Sequence, residues 1–168
     1  VDKEFYVVQG EFYPRGSMGT KCLQIMDAQK LIDGRPEYVV FNGRVKGTVG
    51  NMNAKVGETA RIYFGNGGVN LISSFHLIGE IFDTVYPEAA MGIGSAIFKN
   101  VQTTLVPAGG ATIVEMKFDV PGNYILVDHA LARLDRGAWG TIMVDGPANK
   151  EVYDGVVPTV ADTAKMGH

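Results

Sequence analysis

The sequence predicts an all-β fold, a Greek-key β-sandwich or barrel with short helices, and three observations carry that prediction. Short runs alternate apolar and polar residues with the period of two that half-buries a strand. In "TARIYF", Ala60, Ile62 and Phe64 face inward and Arg61 and Tyr63 outward; in "TIVEMKFD", Val114, Met116 and Phe118 face inward and Glu115, Lys117 and Asp119 outward. Turn residues such as Asn42-Gly43 and "GNGG" punctuate these runs, and the chain's 22 glycines suit a protein with many tight turns. No long stretch carries helical periodicity, and about eight strands fall within some 110 residues, as sandwiches and barrels require.

Taken in order, residues 1–36 read as a linker segment running on from a first unit that precedes this chain. It holds a strand near Glu4–Gln9, the loop "YPRGSMGT" and a short amphipathic piece around Met26–Ile32, and Pro36 closes it. The domain itself is expected over residues 37–147. Its strands are "EYVVFNG", "TARIYF", the apolar run "LISSFHLIGEIFD" over 71–83, "TIVEMKFD", "PGNYILVDH" and "WGTIMVDG". "ALARLDRG" is expected to make one or two turns of helix, and residues 148–168 a polar tail. "GNGG" and "GIGS" invite a phosphate-loop reading, but neither precedes a convincing helix or a Gly-Lys-Ser/Thr, so both are read as turns.

Composition excludes several functions. A chain of 168 residues, 46% hydrophobic, can bury a real core without disulfides, removing roughly 70% of the unfolded surface from water. Net charge is −3 with no basic cluster, so nucleic acid has no electrostatic footing. No run of 18 apolar residues is present to span a membrane as a helix. The single cysteine, Cys22, permits neither an internal disulfide nor a cysteine-based zinc cluster.

The three histidines focus the chemistry. His76 sits inside an apolar strand, where Phe75 and Leu77 share the core face and Ser74, His76 and Ile78 share the other. With apolar residues on both faces, the second face calls for a cover, and none is evident in the chain. That points to a subunit or domain boundary. His129 ends "NYILVDH", on one face with Ile125 and Val127. The ordinary role for either residue is that of a buried histidine hydrogen-bonded to main chain. His168 closes the chain and carries no expectation. Two histidines do not complete a metal site, because a catalytic zinc or copper centre usually takes three protein ligands and an open position. Further ligands would have to come from another polypeptide or domain.

"PGNYILVDH" resembles the cupredoxin signature in which a blue-copper cysteine follows the tyrosine by four residues; here Asp128 stands at that position. The wider match is more specific. "EYVVFNG", "AKVGETARIYFGNGGVNLISSFHLIGEIFDTVY", "NVQTTLVPAGG" and "VPGNYILVDHAL" resemble the second cupredoxin domain of copper-containing nitrite reductases, and "EFYVVQGEFY" resembles the linker from their first domain. The likeness covers residues 3–147 and makes the expected fold cupredoxin-like.

The resemblance implies a denitrification enzyme that reduces nitrite at a type 2 copper between neighbouring subunits of a homotrimer. His129 in "LVDHAL" matches the copper ligand supplied by the second domain. His76 in "SSFHLIG" matches the proton-delivering histidine, and Ile78 the isoleucine that shapes the substrate space. Gln102 and Thr103 match residues that hydrogen-bond the catalytic histidine, with glutamine where some relatives have glutamate. It further implies a type 1 copper in the missing first domain, an external electron donor (a small copper protein or a cytochrome c), and residence in the periplasm or at the cell surface. The remaining ligands are absent from this sequence, so the isolated chain is expected to be inactive. Two alternatives stand beside this reading. One is a degenerate, copper-free cupredoxin scaffold or trimerisation module in which both histidines are structural. The other, a multicopper oxidase domain, needs paired His-x-His motifs that this sequence does not contain.

Overall fold

The structure, a computed structural model, describes residues 1–45 and 50–152. Two sheets face each other. The first has six strands in the order β2-β1-β4-β9-β6-β7 and the second five in the order β3-β11-β10-β5-β8. The first comprises β1 (Lys3–Phe12), β2 (Tyr38–Phe41), β4 (Thr59–Asn66), β6 (Phe82–Pro87), β7 (Phe98–Val101) and β9 (Ala111–Lys117). The second comprises β3 (Met52–Lys55), β5 (Ser73–Ile78), β8 (Thr103–Val106), β10 (Gly122–Asp128) and β11 (Trp139–Asp145). Most pairings are antiparallel; β1 with β4 and β3 with β11 are parallel. Two short helices, α1 (Ala28–Ile32) and α2 (Leu131–Asp135), complete the described elements. No helix among the described residues is long and apolar enough to cross a membrane.

The period-two pattern lands as expected. Ala60, Ile62 and Phe64 on β4 and Val114 and Met116 on β9 are buried, as is Phe118 just beyond it, while Arg61 reaches across the outer face to Glu115. Aromatic rings tie the sheets together. Phe75 of β5 stacks on Phe64 of β4, with centroids 4.0 Å apart, and on Phe82 of β6 at 5.8 Å, while Phe41 meets Phe64 edge-on at 5.9 Å. Such pairs add to the stabilisation from the apolar area they remove from water.

The structure departs from expectation in three places. Among the described residues it has eleven strands rather than about eight; three of the four-residue strands at its sheet edges, β3, β7 and β8, are not among the strands read from the sequence, whereas the fourth, β2, is. Strands this short show too few alternations to stand out in sequence, and short edges also leave little unpaired backbone to recruit another chain. The apolar run over 71–83 is two strands on opposite sheets. Gly79, at φ +99°, turns the chain between β5 and β6, and a β-carbon there would lie 3.1 Å from the Tyr124 ring. Lastly, α1 is a helix capped by Asp27, whose carboxylate accepts from the Gln29 and Lys30 amides, but it buries none of its residues. The strand in the linker segment, β1, is the second strand of the six-stranded sheet and brings Val7 and Gln9 fully into the interior. Residues 153–168, including His168 and most of the expected tail, lie outside the described residues.

Candidate metal centre

Antiparallel pairing of β5 with β10 brings the two histidines together. Val127 sits opposite His76 and Ile125 opposite Ile78. His129 follows the last residue of β10 and carries the ladder one step further, its amide donating to the Ser74 carbonyl at 2.8 Å. The two imidazoles therefore share the outer face of the five-stranded sheet, with ring centroids 5.4 Å apart and planes inclined by 57°. They do not point into separate cores.

Their surroundings differ. His76 is 9% exposed, pressed between its ladder neighbours Val127 and Thr103, so the cover its face requires comes in part from its own chain. Its Nδ1 lies 2.5 Å from the main-chain carbonyl of Gln102. A carbonyl oxygen only accepts, so Nδ1 carries the proton of that bond and Nε2 is the nitrogen left to gain or release one. His129 is exposed, and no hydrogen bond to its ring occurs among the described residues. Ile78, two residues along β5 from His76, is 40% exposed, and Leu105 and Met143 leave further apolar surface open on the same sheet face. Ile78 also walls a depression of about 320 Å³ formed with Pro121, Tyr124 and Ile125.

Gln102 reaches His76 through its main chain, not its side chain. Thr103 stands opposite His76 in the β5–β8 register, and its hydroxyl makes no bond to the imidazole among the described residues. Cys22 is exposed in the loop ahead of α1, far in sequence from either histidine. Near the outer end of β5, burial pushes the Glu80 carboxyl above the usual carboxylate range, with Asp83 and Asp119 adding to the effect. Burial likewise raises the Tyr124 hydroxyl, which donates to the Val120 carbonyl.

Sequence reasoning missed a buried polar cluster beneath His129. Asp128 points to the core side of β10 with no exposed surface and is ion-paired to Arg133 of α2. A carboxylate at the end of an otherwise apolar strand, followed five residues later by an arginine in a short helix, is the signal that could have revealed it.

The donor set suits one part of a shared metal site. An exposed imidazole with both nitrogens unengaged among the described residues can serve as a copper ligand. The described residues contain no group of three or more His, Cys, Asp or Glu able to hold an ion without help.

Comparison with known proteins gives the family. Over its whole length the chain is 52% identical to the copper-containing nitrite reductase of Neisseria meningitidis serogroup A, covering 42% of that protein. The chain belongs to the copper-containing nitrite reductase family. It spans about two-fifths of the length of the curated relatives it matches. Among solved structures, the copper nitrite reductase of Nitrosomonas europaea superposes with a TM-score of 0.71 at 30% identity, over 92% of this chain and 53% of that one. A multicopper oxidase superposes at 0.65 with 22% identity over 86% of this chain and 44% of its own, a likeness of fold alone. No protein-family model matches the chain.

Proposed function

We propose that this chain is the second cupredoxin domain, with its linker, of a nitrite reductase that forms nitric oxide. His129 supplies one ligand to a type 2 copper shared with a neighbouring chain of a homotrimer, and His76 delivers a proton to the substrate. The first domain carries the type 1 copper and the other two type 2 ligands. The observation that carries this reading is the imidazole pair: one ring exposed and free to ligate, the other 5.4 Å away and held by its Nδ1 on a main-chain carbonyl.

The reaction is NO₂⁻ + e⁻ + 2H⁺ → NO + H₂O. One N–O bond breaks, the departing oxygen takes both protons, and the electron comes from an external donor. A copper ion held by His129 and imidazoles of the neighbouring chain would supply one-electron redox chemistry and a Lewis-acid site for nitrite. His76 holds a proton at Nε2 and passes it on while Nδ1 stays anchored to Gln102, so the ring transfers the proton without turning. Ile78, apolar and on the same face, limits the orientations nitrite adopts. Thr103 lies beside the anchored ring in the ladder and steadies it. Apolar Ile78, Leu105 and Met143 fit a face that meets another chain. The protein works in the periplasm or at the cell surface, a reading that the family resemblance supports.

The test is metal analysis, electron paramagnetic resonance and native mass on the protein joined to its first domain. A trimer-sized particle with blue type 1 and type 2 signals is expected, with His129→Ala abolishing the type 2 signal alone. An unchanged type 2 signal in that variant sinks the assignment. The 168-residue chain purified alone should hold no type 2 copper and show no nitrite reduction.

A further inference from the structure

Among the described residues nothing holds the His129 ring by hydrogen bonding, yet a metal ligand works best when its position is set in advance. We propose that Asp128 is the positioning residue for His129, clamping the main chain on both sides of the histidine so that its imidazole stays beside that of His76. The inference rests on the reading of His129 as a ligand given above.

The carboxylate of Asp128 is fully buried and engaged on every side. Oδ1 accepts from the Ser74 amide at 3.1 Å, the Ala130 amide at 3.2 Å and Arg133 Nη2 at 3.0 Å. Oδ2 accepts from Gln9 Nε2 at 2.9 Å and Arg133 Nε at 2.5 Å. The donors come from β1, β5, the turn after β10, and α2. Two of them bracket the histidine. The bond to Ala130 closes a small ring of main chain with His129 at its centre, a local side-chain turn that fixes the backbone angles of the enclosed residue. The bond to Ser74 lies next to the one that the His129 amide makes with the Ser74 carbonyl. The segment 128–130 is thus pinned to β5 and to itself at three points, and β5 is the strand that carries His76.

The rest of the cluster keeps Asp128 aimed. Arg133 supplies a two-pronged, charge-assisted pair, the arrangement in which a buried carboxylate is best compensated. Gln9 cannot present its carbonyl to a carboxylate, so Nε2 faces Asp128, leaving Oε1 to accept from the buried Ser73 hydroxyl at 2.7 Å. Every buried side-chain nitrogen and oxygen among the described residues has a partner, this cluster included. An asparagine at 128 turns a donor toward Gln9 Nε2 and Arg133 Nε, and with that edge repelled its carbonyl no longer stays seated on the Ser74 and Ala130 amides. Gln9→Glu would supply the missing acceptor from the other side.

The experiment is proton NMR of the 168-residue chain labelled at histidine, reading the through-space cross-peak between the His76 and His129 rings. Cross-peaks of the Phe64–Phe75 stack serve as the control for folding. Asp128→Asn is expected to weaken the histidine cross-peak at least threefold with the phenylalanine peaks kept, and Gln9→Glu with Asp128→Asn to restore most of it. Arg133→Lys, which keeps the charge but loses one prong, should fall between. If Asp128→Asn also loses the phenylalanine peaks, Arg133→Lys decides. A histidine cross-peak of wild-type strength in Asp128→Asn, or in Arg133→Lys where only that variant retains the core, overturns the proposal. Failure of the ligand reading registers elsewhere, as a type 2 copper signal that survives His129→Ala, and leaves the cross-peak result intact.

Discussion

Strand β5 has two faces that obey different rules. On the inner face Phe75 and Leu77 have no exposed surface, and Phe75 lies between Phe64 and Phe82 of the opposite sheet. On the outer face His76 is nearly closed over while Ile78, two residues on, is 40% exposed. The inner face supplies cohesion and the outer face supplies chemistry. Because the side chains alternate along a single backbone, the aromatic stack also sets where His76 stands. A site built on a strand anchored in this way inherits the rigidity of the core.

The largest effect should come from breaking the inner face. Phe75→Ala removes a ring that contacts both sheets and leaves a cavity, with an expected loss of about 3–5 kcal/mol. Urea unfolding should show the midpoint fall accordingly. His76→Ala, next door on the outer face, deletes one hydrogen bond whose carbonyl partner belongs to exposed Gln102, and should cost about 1 kcal/mol. Equal losses from the two variants would mean that the faces are not separable.

That contrast also explains what was legible in the sequence. The inner face was, because the alternation of Phe75 and Leu77 against Ser74, His76 and Ile78 needs only period-two geometry. The proximity of the histidines followed from the family motifs, since residues 76 and 129 come together only through long-range strand pairing that no local pattern encodes. The end of β5 was hidden. Apolar residues run on both sides of Gly79, and a buried strand followed by another buried strand looks like one long strand. The Asp128 cluster was hidden for a different reason: its partners Gln9, Ser74 and Arg133 lie on separate elements, and each alone passes for a surface residue.

Gly79 tests where the two faces end. Its φ of +99° disfavours any side chain, and a β-carbon would press on the Tyr124 ring. Gly79→Ala should therefore destabilise by about 1–3 kcal/mol, less than Phe75→Ala, by straining the turn that sends the chain from one sheet to the other. Tyr124 walls the depression beside Ile78, so its near-ultraviolet circular dichroism should change as well. A variant as stable as the parent would show that the turn relaxes freely and that β5 is not pinned at this end.

The smallest effect concerns Glu80, one residue beyond that turn, where the outer face gives way to the rim. Burial is the main reason its carboxyl sits above the ordinary value of 4.5, reinforced by the negative charges of Asp83 and Asp119 and partly opposed by its bond from the Ile81 amide. A carboxyl raised on folding binds its proton more tightly in the native state than in the unfolded one. Its contribution to stability is therefore fully present below the unfolded value and is lost as pH rises through the folded one. Glu80→Gln, always neutral, should remove that dependence. In urea midpoints measured from pH 3.5 to 7.5, parent and variant should agree at the acid end, and the variant should become modestly the more stable as pH rises. A gap that instead opens toward acid pH would mean that the ionised carboxylate is the form this rim favours, and that the outer face of β5 ends in a polar site and not in a partly buried one.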